Sequence, residues 1–226
     1  MATRFYTDPT NAPDVSPGYE SVYVSRWNDT TQAVRRKLVI DNPGNNNSTS
    51  FTVSETSAST NRVLAVQFVS EPLDANASVG LSVLKGVFRC IENDAKSDAE
   101  ISVFFRKCDQ DGLNDELISS TSFLFDGVEF ADDVLTSRLC GPSDRANGSI
   151  SQGQRLIVEV GVGFTNSKET EYFGTINVTD NHASDLPEND TETAAYNSWI
   201  ETGDTFTVAS GDPPAAIKLG PMFAFA

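Results

Sequence analysis

Among 226 residues the chain has one histidine, three cysteines, two methionines and two tryptophans, and each scarcity excludes some chemistry. With His182 as the sole imidazole, a Ser-His-Asp relay has one candidate base, and no serine sits in a Gly-x-Ser-x-Gly turn. His182 itself stands between Asp180 and Asp185 in a polar stretch and reads as a surface side chain. Cys90, Cys108 and Cys140 are an odd set without Cys-x-x-Cys spacing, which offers neither a disulfide framework nor a complete zinc site. Cys90 and Cys108 each end an apolar run, as buried thiols do. There is no glycine-rich phosphate loop, no His-Glu-x-x-His and no dinucleotide fingerprint. No apolar run reaches membrane-spanning length, and the opening "MATRFYTDPT" is neither cationic nor apolar. These features predict a chain made and folded in a reducing cytosol, without a membrane partner.

Positive charge is also scarce. Sixteen Lys and Arg face 32 Asp and Glu, for a formal charge of −16. Such a balance repels a phosphate backbone, so no nucleic-acid partner is expected. The densest basic group, Arg35, Arg36 and Lys37, reads as a salt-bridged strand end. Asn-x-Ser/Thr triplets at Asn28, Asn47, Asn76, Asn147, Asn177 and Asn189 read as unmodified surface turns.

What the chain has in abundance is two-residue rhythm. In "RLIVEVGVGF" the residues Leu156, Val158, Val160, Val162 and Phe164 alternate with Ile157, Glu159, Gly161 and Gly163, the pattern of a strand buried on one face. "RVLAVQFVS", "SVGLSVLKGVFRCIE", "EISVFFRKC" and "EYFGTINV" behave alike, and polar turn clusters separate them. Gly86 and Gly174, inside strands, suggest bulges or tight bends. The segment from Phe123 to Arg138 leaves open a strand with a crossover or a short helix near Asp132. Seven to nine such strands predict an all-β antiparallel sandwich of jelly-roll or related Greek-key type. The single domain spans residues 31–208. An extended, aromatic-punctuated N-terminal arm covers 1–30, and a Pro/Gly linker with an apolar tail covers 209–226.

Several residues are candidates for chemistry or contact. The stretch "DNHASDLPENDTE" gathers Asp180, Asp185, Glu188 and Asp190, the oxygen-rich spacing that calcium takes, and equally the composition of a solvated loop. "CDQDGLNDE" begins like a calcium loop, but Gly112 comes too early and the bidentate glutamate is missing. No other cofactor is implied. Paired acids could also hydrolyse glycosides, although sequence cannot set two of them across a cleft. Trp27 and Tyr196 are candidate sugar platforms, with host polysaccharide as the ligand; Trp199 reads as a core plug. Met222, Phe223 and Phe225 in the tail, with Tyr6 and Tyr19 in the arm, are candidate partner contacts. The tail either folds back over its own sandwich or docks on a neighbouring subunit.

The segments "MATRFY", "AVQFVSEPLDA", "KGVFRCIENDAKSDAEISVFFR", "GQRLIVEVGVGF" and "TDNHASDLPENDTETAAYNSWIE" resemble a group of small proteins encoded by tailed bacteriophages. The likeness runs from about Phe5 to Val208 and is most specific over Asp180–Glu201, with Thr179 and Ser198 departing from the group's pattern. It implies a non-enzymatic β-sandwich virion component, either a capsid decoration or a tail, neck or fibre accessory. Its implied partners are other virion proteins and further copies of itself, with a trimer among the expected assemblies. The alternative function is a carbohydrate-binding module contacting the host surface.

Overall fold

The computed structural model describes residues 2–19, 23, 34–44, 46–55, 61–79, 84–118, 123–141, 148–165, 171–180, 184–203 and 205–208. Their regular structure is all strand. In chain order these are β1 (Thr3–Thr7), β2 (Val34–Val39), β3 (Ser48–Glu55), β4 (Asn61–Ser70), β5 (Ala77–Val79), β6 (Lys85–Glu92) and β7 (Ala99–Cys108). Then follow β8 (Glu116–Leu117), β9 (Phe123–Glu129), β10 (Thr136–Cys140), β11 (Gly148–Ile150), β12 (Arg155–Phe164), β13 (Tyr172–Thr179) and β14 (Trp199–Thr202).

Eight of them build a jelly roll. One sheet runs β3-β13-β6-β10 and the other β4-β12-β7-β9, so successive strands cross between layers at every step but β7 to β9. The inward positions fuse into one core, in which Phe68 of β4 stacks on Phe88 of β6 at 6.5 Å between ring centroids. β14 continues the line of β13 along β6, β1 pairs with β14, and β2 pairs with both β1 and β4. This chain of pairings hydrogen-bonds the two sheets into one twelve-stranded sheet. The β2–β4 pair is parallel, the exception in an otherwise antiparallel set. β5 and β11, far apart in sequence, form a separate antiparallel pair.

Three local expectations resolve. Phe123–Glu129 and Thr136–Cys140 are strands, and a turn at Asp133, with φ of 54°, stands where a helix was one option. Gly86 and Gly174 mark close packing rather than bulges: a Cβ at Gly174 would lie 2.6 Å from Val162 of the facing sheet. The bulge is instead in β4, where the register against β12 shifts between Val160 and Gly161 and leaves Ala65 extra.

The largest correction concerns β12. Its alternation predicts one buried face, yet all ten residues are buried. The reason is distant in sequence. Residues 8–19 and Tyr23 lie as a strap over the outer face of the β4-β12-β7 sheet, so these described residues of the expected N-terminal arm belong to the domain. Thr3–Thr7 goes further and is a strand of the sandwich itself.

Candidate functional site

The outer face of each sheet carries a cover over part of its area, and each cover is fastened by charged side chains. Under the strap, β12 presents Glu159, fully buried, between Gln67 of β4 and Arg106 of β7. Arg106 Nη1 donates to Glu159 Oε1 at 2.9 Å, Gln67 Nε2 donates to the same oxygen at 3.0 Å, and Arg106 also pairs with Asp115. Burial opposes the charge on Arg106, but Glu159 and Asp115 prevail and hold its guanidinium more firmly protonated than usual.

This inlay grips the strap through its backbone. Gly18 O accepts from Gln67 Nε2 at 2.6 Å and from Arg106 Nη1 at 3.0 Å. Pro17 O accepts from Arg35 Nη2 at 2.7 Å, and Pro9 O from Arg36 Nε at 2.8 Å. Arg155 takes Asp14 in a bidentate fork at 2.8 and 3.0 Å. Beyond the polar inlay, the Tyr23 ring packs edge-on against Phe104 at 5.3 Å and sits directly over Gly161, where any Cβ would overlap it. Burial, reinforced by Glu159, drives the Tyr23 phenol pKa well above its ordinary value, so it stays protonated and donates to Ser102 O. The Arg35-Arg36-Lys37 group is therefore only partly a salt-bridged strand end. Lys37 pairs with Glu71 at 2.9 Å, while the two arginines serve carbonyls of the strap.

The second cover is the segment 184–198 over the outer face around β6. Leu186 and Tyr196 pack with Val87, Leu139, Tyr6 and Trp199. Trp199 is fully buried, as the core reading expects, and its Nε1 donates to Leu186 O at 2.8 Å. Arg4 lies 3.9 Å from the Trp199 ring centroid in a cation–π contact. The four calcium candidates sit along this region, but the structure gives each a separate protein partner. Asp185 accepts from Arg4 at 2.6 Å, Tyr6 at 3.2 Å and Asn197 at 2.9 Å. Glu188 pairs with Lys85 at 2.6 Å. Asp190 Oδ1 accepts the Leu139 amide at 2.8 Å. Asp180 is buried, with one oxygen on the Asn47 amide and the other without a hydrogen-bond partner among the described residues. Among the described residues, no three His, Cys, Asp or Glu converge as metal ligands.

The other sequence candidates divide. Tyr6 and Tyr19 face the protein's own domain: Tyr6 donates to Asp185 and Tyr19 packs beside Tyr23 and Phe104. Tyr196 is half-buried against the Trp199 cluster. Trp27, His182, Met222, Phe223 and Phe225 lie outside the described residues. In the second acidic stretch, Asp109 binds Asn114 at 2.7 Å, Asp115 binds Arg106, and Glu116 binds Lys107 at 3.2 Å.

Two arrangements escaped the sequence reading. The Glu159-Gln67-Arg106 inlay had one signal, a lone acid among the outward glycines of β12. The other is Glu92, at the end of β6, whose buried carboxylate caps the turn to β7 by accepting from Ser97 and from the Ala99 amide at 3.0 Å. Burial pushes the Glu92 carboxyl up to about 7, and nearby Glu129 adds to the rise against the opposing hydrogen bonds. Large exposed apolar side chains among the described residues are Leu113, Val128, Val134 and Phe173. No described helix is long and apolar enough to cross a membrane.

No family model matches the chain, and no curated protein matches it. Among solved structures it is similar to a CocE/NonD family hydrolase from Staphylococcus aureus, at 9% identity and a TM-score of 0.26. That match covers 92% of this chain and 35% of the hydrolase chain, so this chain spans well under half of its length. A likeness at that level carries no argument about activity.

Proposed function

We infer that this protein is a non-enzymatic structural component of a tailed-bacteriophage particle, an accessory of the capsid or of the tail, neck or fibre. One observation carries the reading: ionisable side chains, three of the four calcium candidates among them, fasten two covers onto a jelly roll. Arg106, Glu159 and Arg155 hold the strap; Asp185, Glu188 and Asp190 hold the segment 184–198. A sandwich clad in this way is stiff and presents itself as a building unit. The resemblance of Phe5–Val208 to phage virion proteins supports the same reading. Assembly then runs through the apolar tail, where Met222, Phe223 and Phe225 supply contact surface to a neighbour.

The test is direct. Mass spectrometry of purified particles detects the chain at a fixed stoichiometry, and antibody labelling in electron micrographs puts it at one site on the capsid or tail. Deleting Gly211–Ala226 abolishes incorporation while leaving the sandwich folded. Particles without the chain, or normal incorporation of the truncated form, would sink the proposal.

A second reading, contact with host polysaccharide, draws on the outer face of β13 and β3. There the exposed Phe173 ring stands two residues from Thr175, whose hydroxyl meets that of Thr52 at 2.8 Å. Aromatic surface beside hydroxyls suits a sugar ring. A glycan array that stays blank with the wild-type protein removes this reading.

A further inference from the structure

At one end of the sandwich three glutamates from three strands meet. Glu92 ends β6, Glu129 ends β9, and Glu100 of β7 stands directly opposite Glu129 in register. Glu92 is 2% exposed, yet the carboxyl of Glu129 comes within hydrogen-bonding reach of its own. Two carboxylates can only accept, so this contact is a hydrogen bond only while one of them holds a proton. Glu92 is the holder, because burial penalises its charge and raises its carboxyl to about 7. The surroundings do little to relieve that charge. Glu100 has one buried oxygen without a partner among the described residues, Asp98 adds negative charge, and Arg62 of β4 is the opposing cation. Arg138 of β10 is turned to the Glu129 carbonyl, at 2.6 and 2.9 Å. Lys96 in the β6–β7 turn and Asp132 and Asp133 after β9 are exposed.

Glu92 is also where the turn between β9 and β10 is fastened. Its side chain accepts from Ser97 and from Ala99 N at 3.0 Å, and Ala99 O accepts from Phe130 N at 2.7 Å. Its backbone makes two further ties: Glu92 N donates to Ala131 O and Asp133 N donates to Glu92 O, each at 3.2 Å. Both lie at the long end of the ordinary range. Residues 130–133 thus hang on one residue of β6, and the contact with Glu129 sits at the head of that turn. Phe130 is buried in the core, while Val128 and Val134 on either side of it are exposed.

We propose that Glu92 and Glu129 form a proton-operated clasp on the β9–β10 turn. With one proton between them the turn is closed onto β6. When that proton leaves to solvent, two carboxylates remain in contact, Glu129 swings into the water it already borders, and the turn lifts from Phe130 to Leu135. Opening bares Phe130 between Val128 and Val134, so this rim has a closed state and an apolar state one proton apart. The clasp goes beyond the structural role proposed above and would hold for a protein with another role.

Hydrogen exchange of the full-length protein, read by mass spectrometry and corrected for the intrinsic pH dependence of exchange, tests it. A peptide covering residues 128–135 should open about tenfold more for each pH unit between about 4.5 and about 7, then level off, roughly 300-fold in all. Peptides from residues 8–19 should show no such rise. Glu92→Gln supplies a neutral amide that donates to Glu129 at every pH, and should hold the turn closed above neutrality. Should that variant fail to fold, as near-UV circular dichroism would reveal, Glu129→Gln decides. Its amide donates to ionised Glu92 and should cut the rise to below about tenfold. A flat profile in the wild-type turn, an equal rise in the strap, or a rise unchanged by the substitution overturns the clasp.

Discussion

The two covers solve one problem with opposite chemistry. Over β4-β12-β7, the sheet supplies buried charge and the strap supplies carbonyls and the acid Asp14. Over β6, the covering segment supplies acids and the sheet region supplies cations at its rim. The difference lies in exposure: the side chains of Glu159 and Arg106 are 0% and 5% exposed, whereas those of Asp185 and Glu188 are 27% and 46% exposed. A buried pair stabilises only as a complete set, because a charge left without its partner keeps its full desolvation penalty. A rim pair exchanges with water and counts for little by itself. The strap should therefore release in one step and the acidic segment piecemeal.

Removing one member of the inlay is the strongest way to break that contrast. Arg106→Ala removes the ion pair of the buried Glu159, and should cost about 3–5 kcal/mol in urea denaturation. Adding Glu159→Gln should recover part of the loss. A cost below about 1 kcal/mol would show that the strap does not depend on the inlay.

Titration comes next. Glu92 binds its proton more tightly in the folded state than at its ordinary value near 4.5. Its contribution is therefore complete below about pH 4.5 and is lost as pH rises through about 7, on the order of 3 kcal/mol in all. Glu92→Gln should flatten that decline in a stability-versus-pH series. Glu201 has the opposite sign. Burial opposes its charge, but Lys85 and Arg4 hold its carboxyl below the ordinary value, so its contribution is lost as pH falls through the folded pKa. Hydrogen exchange should then show acid loosening the β1–β14 pair, which carries Arg4 and Glu201.

Gly161→Ala addresses the strap without touching charge. The new methyl meets the Tyr23 ring and lies 2.6 Å from Val63 O, so the strap must lift locally, at a cost of about 1–3 kcal/mol. Faster exchange confined to the residues around Tyr23 would confirm the seat; unchanged exchange would refute it. The smallest effect belongs to the rim: Glu188→Gln should cost below about 1 kcal/mol despite its 2.6 Å contact with Lys85.

Much of the sandwich was legible because strand periodicity is written locally. Leu156, Val158, Val160, Val162 and Phe164 do line the core, and Trp199 is the plug that its setting implied. The outward set Ile157, Glu159, Gly161 and Gly163 was misread as solvent-facing, since alternation reports two faces without saying what covers the second. The glycines were the missed clue: a face bare of side chains leaves room for another segment. The acidic stretch was legible as a loop between strands, but its partners Arg4, Lys85 and Leu139 come from β1, β6 and β10.

By itself, the sequence determined the strands, the turns between them and the class of fold, because side-chain alternation and turn chemistry act over a few residues. Tertiary structure alone decided which acid meets which cation, and that residues 8–19 and Tyr23 close one face. Those outcomes depend on segments more than a hundred positions apart arriving within 3 Å, as Arg155 and Asp14 do at 2.8 Å, and no local pattern encodes such a meeting.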